Sequence, residues 1–390
     1  MQDLEQFRQS PSGTVMKAGP NPTPYWTFVP NLLPPDLSMD LTSGRNLAEA
    51  AQSLGELAGL GRTVPNPQLL IRPFVRREAV LSSRIEGTQT GVADLYAYEA
   101  HQQPLPEFGP LPPQEDIQEV LNYVNALKYG LERLSTLPIS TRFLRELHAR
   151  LMAGVRGTHA TPGEFRQSQN WAGRPGSTLA SATFVPPAPE QMQIALSNLE
   201  HYFHEENHYP ALVRLAFIHY QFEVIHPFLD GNGRIGRLLI VLLMIDWGML
   251  PAPLLYLSAY FEHHRSRYYD LLLRVSMEGA WNEWVEFFLQ GITEQAQDAN
   301  RRAHQILDLQ SQWQNILRSE NASLLMLSVA DLLFQKPLLS ASEITKELDV
   351  VHSTAMRALT KLTEFNIVEE LPAKGRRRRF VARNILNLNL

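Results

Sequence analysis

The stretch His226–Arg237, HPFLDGNGRIGR, sets one imidazole, one acid, one amide, three glycines and two arginines within twelve residues. Packing does not require that mixture; a site that handles phosphate does. Upstream, Leu212, Leu215, Ala216, Ile218, Phe222 and Ile225 are spaced as a helix that ends near His226, and Pro227 fits the ending. Downstream, Arg234–Trp247 is so apolar that the helix it predicts lies at the centre of a domain. A glycine-rich loop therefore enters a buried helix at its N-terminus, where free backbone N–H groups and the helix dipole attract an anion. Gly231 and Gly233 let the backbone approach phosphate oxygens closely. Asp230 suits Mg2+ through one carboxylate, with phosphate and water completing the shell. Arg234 and Arg237 neutralise phosphate charge, and His226 is the side chain here suited to taking a proton near neutral pH. Singly, a His before Pro is a helix-end residue and a GxG is a turn; the joint arrangement points to chemistry.

The rest of the chain bounds the setting. Its 390 residues predict two or three domains with a sizeable core. An apolar fraction of 44% and a net charge of −5 suit a globular protein rather than a polycation built for nucleic acid. The lack of cysteine excludes disulfides and thiol catalysis and fits the cytosol. The N-terminus has no signal-peptide pattern, and the longest apolar run, Leu238–Ile245, is far shorter than the ~20 residues a membrane helix needs. The expectation is a soluble, cytoplasmic protein with no membrane partner.

Periodicity predicts a mainly α fold. The first forty or so residues, rich in Pro, Ser and Asn, read as an extended arm over the surface. Helical stripes follow at Leu47, Ala51, Leu54 and Ala58, then across Pro73–Gly87, then at Val120, Tyr123, Leu127 and Leu131, and at Leu144, Leu147 and Leu151. The Pro-rich segment Gln102–Asp116 marks a boundary, and Trp171–Glu190 reads as a short hairpin or flap. The expected divisions are 1–110, a helical catalytic core at 111–295, a connecting helix at 296–335 and a small domain at 336–390. In the last of these, Ser342–Leu348 and Ser353–Phe365 read as two helices around a turn, and IVEEL and RRFVA as paired strands. That is the pattern of a winged helix-turn-helix. Its wing, Leu371–Arg383, carries Lys374, Arg376, Arg377, Arg378, Arg379 and Arg383 and no acid, whereas the second helix offers only Arg357 and Lys361. DNA contact and protein contact both stay open for it.

With these residues in view, the loop resembles the Fic-family signature HxFx(D/E)GNGRxxR at every fixed position. The strings PGEFRQSQNWAG, FVPP, HYQFEVIHPF, LYLSAYFEHHRSRYYDLL and GAWNEWVEFFLQG, and the short GVRG, look like multi-domain bacterial Fic proteins over roughly residues 40 to 295. The resemblance implies a Fic helical core that moves AMP from Mg2+-ATP to a Ser, Thr or Tyr hydroxyl of a target protein, the chain itself included. It implies His226 as the base on that hydroxyl and Asp230 as the metal ligand. Asn232 and Arg234, with the amides of Gly231 and Gly233, would hold the α- and β-phosphates; Arg237 would grip the γ-phosphate, and Gly236 belongs to the same nucleotide site. Phe228 would anchor the loop. Gly233 replaces the lysine of related Doc-type kinases, while phosphocholine-transferring relatives share the loop. Thr183 and Phe184, at the edge of the hairpin, would align the target as an added strand; an ordinary surface hairpin is the alternative.

A second motif lies in SSRIEGT, Ser82–Thr88. Ser82 and Glu86 sit one turn apart on one helix face, and Gly87 follows as a helix end. Any single Glu there is most simply a charged helix face. The string resembles the family's inhibitory motif (S/T)xxxE(G/N), which implies that Glu86 pairs with Arg237 and occupies the cation meant for the γ-phosphate. Other readings carried forward are removal of AMP from a target with help from Glu86, and a DNA-binding regulator whose core is a sensor. A homodimer is compatible with the apolar helices and with the resemblance.

Overall fold

The computed structural model describes residues 3–20, 24–100, 112–154, 161–174, 176–372 and 378–389. The chain is mainly helical, as expected. The first forty residues differ from the expectation. They form a short helix α1 (Leu4–Arg8) and an antiparallel hairpin, β1 (Gly13–Ala18) with β2 (Tyr25–Pro30), in register from Gly13 opposite Pro30 to Ala18 opposite Tyr25. The physical reason is an apolar demand that the Pro-rich composition hides. Phe7 and Phe28 are fully buried, with ring centroids 5.5 Å apart, and each lies 5.9 Å from Phe184.

The helices follow in order. α2 (Leu41–Thr63) starts at Asp40, whose carboxylate accepts the Ser43 N–H at 2.8 Å. α3 (Gln68–Ile85) starts earlier than Pro73, which sits inside it, and stops where Gly87 takes φ 108. α4 (Val92–Glu99), α5 (Gln114–Arg133) and α6 (Thr141–Leu151) complete the first half. The boundary expected at Gln102–Asp116 lies mostly outside the described residues. Then come α7 (Pro189–His204), α8 (Ala211–Ile225), α9 (Asn232–Asp246), α10 (Ser258–His263) and α11 (Arg265–Glu278). α9 is central: Ile235 and every residue from Leu238 to Met244 are buried, and it packs on α3, α5, α6 and α8. No helix among the described residues is long and apolar enough to cross a membrane.

The expected division at 295/296 has no counterpart, because α12 runs without a break from Trp281 to Ser319. Its buried stripe continues through Ala296, Ala299, Ala303 and Ile306, so the same helix face stays packed across that position. After α13 (Leu324–Gln335) the tail forms β3 (Leu338–Leu339), α14 (Ala341–Leu348), α15 (His352–Glu364), β4 (Glu369–Glu370), β5 (Phe380–Val381) and α16 (Arg383–Asn389). The three short strands form an antiparallel sheet in the order β3-β5-β4, and Ala355, Leu359 and Leu362 of α15 face inward. Ser340 and Glu343 cap α14 reciprocally. The basic stretch is less free than its composition suggests. Arg378 pairs with Glu370 and Arg383 with Glu369, acids just upstream of the stretch, and Lys374, Arg376 and Arg377 lie outside the described residues. The tail does not stand apart: α13 and α16 both pack on α3.

Candidate active site

The loop between α8 and α9 takes its shape from two left-handed residues. His226 caps α8 at φ 50 and Gly231 caps α9 at φ 77. A non-glycine residue in this region is uncommon and must be held there. The holding groups are visible. Arg166 donates through Nε to the His226 carbonyl at 2.9 Å, and its own N–H donates to the Pro227 carbonyl at 3.0 Å. Asn170 Nδ2 donates to the Phe228 carbonyl at 2.8 Å. His148 stacks on Phe228, centroids 3.8 Å apart. His148 Nδ1 accepts the Gly163 N–H at 2.9 Å, so Nε2 carries the proton and donates to the Asp230 carbonyl at 3.0 Å. Burial pulls the His148 pKa down to about 4, so this neutral tautomer persists. Phe228 itself is fully buried and anchors the loop.

His226 lines a cavity of about 650 Å³. Its Nδ1 lies 3.1 Å from the Glu223 carbonyl, an acceptor, so Nδ1 holds the proton and Nε2 keeps its lone pair. Burial, followed by the charge of Arg166, keeps the imidazole pKa below its ordinary value, against the pull of the Glu223 carbonyl, Glu86 and Asp230.

Glu86, Thr183, Phe184, Gly233 and Arg237 line the same cavity. Arg237 is 2% exposed and is bound three times by the end of α3. Nε donates to Ser82 Oγ at 2.8 Å, and Nη2 to the Ser82 carbonyl at 2.8 Å and to Glu86 Oε1 at 2.7 Å. Burial would raise the Glu86 carboxyl, but Arg237, with help from Arg234 and His226, outweighs it and holds the group below its usual range. Burial alone would likewise lower Arg237, and Glu86 reverses this. Glu86 is a third exposed, toward the cavity. A Cβ at Gly233 would collide with Glu86 Oε1 and lie 2.9 Å from Arg237 Nη1, so a side chain there would displace the ends of both.

Other expected nucleotide-site residues stand behind this wall. Asn232 spends its amide on the loop, accepting the Phe228 N–H at 2.9 Å and donating to the Phe228 carbonyl at 2.8 Å. Arg234 pairs with Glu119 at 3.0 Å and approaches Asp230 at 3.7 Å. Gly236 packs against Glu223, Phe222 and His219 of α8, where a Cβ would clash. Asp230 keeps its carboxylate half exposed beside the first turn of α9. Among the described residues no cluster of three acids, histidines or cysteines could hold a metal. A lone exposed carboxylate fits Mg2+ that arrives with phosphate and water, not an all-protein cage.

The expected flap is a hairpin with one bridge, Ala172 opposite Phe184, whose backbone bonds are 2.9 and 3.1 Å. Phe184 belongs to the aromatic cluster of the N-terminal hairpin, and Phe28 N–H donates to the Val185 carbonyl at 2.9 Å. Sequence reasoning missed another part of the cavity lining, Arg265, Tyr268 and Tyr269 of α11. It also missed Glu223, one turn before His226, and Arg166. The pair of tyrosines in HRSRYYD was the one available signal.

Two family models match the chain. The Fic/DOC family N-terminal model covers residues 45–132 and the Fic/DOC family model covers residues 138–244. Proteins named protein adenylyltransferase Fic are similar to it. That of Drosophila grimshawi is 30% identical over 176 residues, 44% of this chain and 33% of that protein. That of Drosophila virilis is 30% identical over 211 residues, 53% and 39%. The chain thus spans about a third of the length of the curated relatives it matches. Among solved structures, a Fic family protein of Desulfovibrio desulfuricans G20 has the same fold, with a TM-score of 0.59 and 20% identity, over 90% of this chain and 98% of that one. A fragment of Fic-1 from C. elegans gives 0.53 and 19%, over 69% and 74%. The matched segments run from α2 through α9 and so include the helix that ends at Glu86, the loop of His226 and Arg237 beyond it: the chain belongs to the Fic/DOC family.

Proposed function

We propose that the chain transfers AMP from ATP to a hydroxyl of a protein, and that Glu86 restrains the reaction by occupying Arg237. One observation carries the reading. A neutral imidazole with Nε2 unspent, Gly233 in the first turn of α9 and the Arg237 guanidinium all border one cavity. In the transfer, the target oxygen attacks the α-phosphorus. The bond from that phosphorus to the bridging oxygen of the β-phosphate breaks, pyrophosphate leaves, and the hydroxyl proton passes to His226 Nε2. The unpaired N–H groups of the first turn of α9 neutralise the α- and β-phosphates, and Arg237 the γ-phosphate. Asp230 would hold Mg2+, which when bound adds charge neutralisation on the phosphates. Tyr269, which is exposed and lines the cavity, is a candidate to stack on a base. The names of the similar proteins, protein adenylyltransferase Fic, support the reaction class.

While Glu86 holds Arg237, the γ-phosphate lacks its cation, and the phosphate chain has no fixed end to bring the α-phosphorus in line. Glu86, ionised and partly open to the cavity, is also placed to accept a proton from water, which supports a second reading, removal of AMP. The pairing of Arg378 and Arg383 with acids favours protein contact over DNA contact for the tail.

The test uses purified wild type, Glu86→Gly and His226→Ala with Mg2+ and ATP labelled on the α- or the γ-phosphate. Label on protein from the α position alone, strongest in Glu86→Gly and absent in His226→Ala, is expected. Label from the γ position would make the chain a kinase. Loss of label from a pre-modified target that needs Glu86 would establish the reverse direction.

A further inference from the structure

Arg166 is 1% exposed, and no carboxylate contacts it among the described residues. A buried cation without an acid is costly, so the groups that satisfy it say what it is for. All are backbone carbonyls. Besides the His226 bond at 2.9 Å, Nη1 donates to the Ser168 carbonyl at 3.3 Å, and Nη2 to the carbonyls of Ile225 at 3.4 Å and Pro187 at 2.5 Å. Ile225 and His226 close α8, where the last carbonyls lack helical partners and carry the negative end of the dipole. Pro187 lies at the exit of the flap, three residues after Phe184. One rigid, planar group therefore spans the histidine that faces the cavity and the outgoing strand of the hairpin beside it. Burial draws the guanidinium pKa down to about 10, which leaves it charged at neutral pH.

We infer that Arg166 is a positioning residue that fixes the register between the flap and His226, and so between the target hydroxyl and its base. The inference rests on the AMP-transfer reading. ATP needs α9 and Arg237, neither of which Arg166 touches, whereas the target needs the flap and the base held at one distance. Neighbours divide the work. Gln169 Nε2 holds the Pro186 carbonyl on the flap side at 3.0 Å, and Asn170 holds Phe228 on the loop side at 2.8 Å, but Arg166 grips both sides with one side chain. Lysine at 166 would keep the charge yet could not present a planar fork to these four carbonyls.

The experiment compares Arg166→Lys, Arg166→Met and Asn170→Ala in the Glu86→Gly background. Mg2+-ATP binding, the kcat of α-label transfer and amide hydrogen exchange are measured. For both Arg166 variants kcat is expected to fall about 100-fold, the order lost when reacting groups are misplaced by an ångström. ATP Kd should stay within about twofold, since Arg166 makes no contact with α9 or Arg237. Exchange should rise at least about tenfold at both Phe184 and His226 while the tail is unchanged. Asn170→Ala should loosen the loop and not the flap. Arg166→Lys keeps the cation and serves if Arg166→Met does not fold. The inference is overturned if kcat stays within about threefold of the parent. It is equally overturned if ATP binding falls in step with transfer, if flap exchange is unchanged, or if Asn170→Ala reproduces the whole pattern. A parent that transfers no α-label sinks the AMP-transfer reading itself, and the exchange comparison then decides the coupling alone.

Discussion

Glu86 Oε1 and Arg237 Nη2 lie 2.7 Å apart, joining the end of α3 to the first turn and a half of α9 across 151 residues of chain. Arg237 is buried and Glu86 is partly open to the cavity, so the acid is the partner able to leave. Glu86→Gly is expected to raise AMP transfer about tenfold or more, equivalent to about 1.4 kcal/mol or more off the barrier. The same change strands a buried cation and should lower apo stability by about 1–3 kcal/mol, softened because Ser82 keeps two of its bonds. ATP should restore more melting temperature to Glu86→Gly than to wild type, because the nucleotide supplies the lost anion. Thermal melts with and without Mg2+-ATP read both effects; equal ATP shifts would refute the pairing as a brake.

With His226 as the proposed base, the acid limb of the rate profile should report its titration. Its pKa is held below the ordinary 6.5, first by burial, so the neutral base persists as pH falls toward that value. Transfer should be level near pH 7 and decline only below pH 6.5. Glu86 favours the imidazolium, so its removal should move this limb to still lower pH. A limb above pH 6.5 in Glu86→Gly would contradict the assignment.

Glu78 lies one turn before Ser82 on the same face of α3, fully buried. Its Oε1 accepts from Tyr123 at 2.9 Å and Ser258 at 2.5 Å. Burial raises its pKa to about 7. A carboxyl whose folded pKa exceeds its unfolded value near 4.5 stabilises the fold fully below pH 4.5, and that contribution is lost as pH rises through 7. Glu78→Gln keeps an oxygen acceptor for both hydroxyls and cannot ionise. Its melting temperature should therefore fall less than wild type's between pH 5 and 8; parallel slopes would show that Glu78 does not titrate in this range.

Gly233→Ala should separate the proposed brake from the proposed nucleotide site. The added methyl collides with Glu86 Oε1, so the carboxylate must shift against Arg237, yet it also fills the approach to the first turn of α9. Transfer is expected to fall about 10–100-fold in the Glu86→Gly background, where no carboxylate remains to displace. A gain of activity in wild type equal to that of Glu86→Gly would mean that the glycine serves only the brake.

His148→Ala removes both the stack on Phe228 and the bond to the Asp230 carbonyl. The expected cost is about 1–3 kcal/mol for the stranded carbonyl and lost contact, together with slower transfer. Denaturant melts and initial rates check it. A variant as stable as wild type would place the support of the loop elsewhere.

The helical core was legible because its stripes repeat at 3.6 residues, and the loop because its residue types serve no packing need. Ser82 and Glu86 were legible as neighbours on one face. Their partner was reachable only through resemblance, since spacing along a chain says nothing of a contact 151 residues away. Arg166 was invisible for the opposite reason: it binds carbonyls, which every residue has, so no pattern of side chains marks it. The N-terminal hairpin hid behind its prolines, although Phe7 and Phe28 were apolar enough to require burial. The pairing of Arg378 and Arg383 was missed because Glu369 and Glu370 fall just outside the stretch whose charge was counted.

α3 is clamped along its length by α5, α9 and α10 on the side of the core and by α13 and α16 from the tail. A rod held at so many points does not swing as a lid. In the proposed restraint, releasing Arg237 would therefore fall to the last few atoms of the rod: rotation about the bonds of the Glu86 side chain, beyond which Gly87 already lets the backbone turn away. Such a latch works at the speed of a rotamer rather than of a domain. Its strength is then set less by how far it moves than by how firmly the rest of the helix is kept from following.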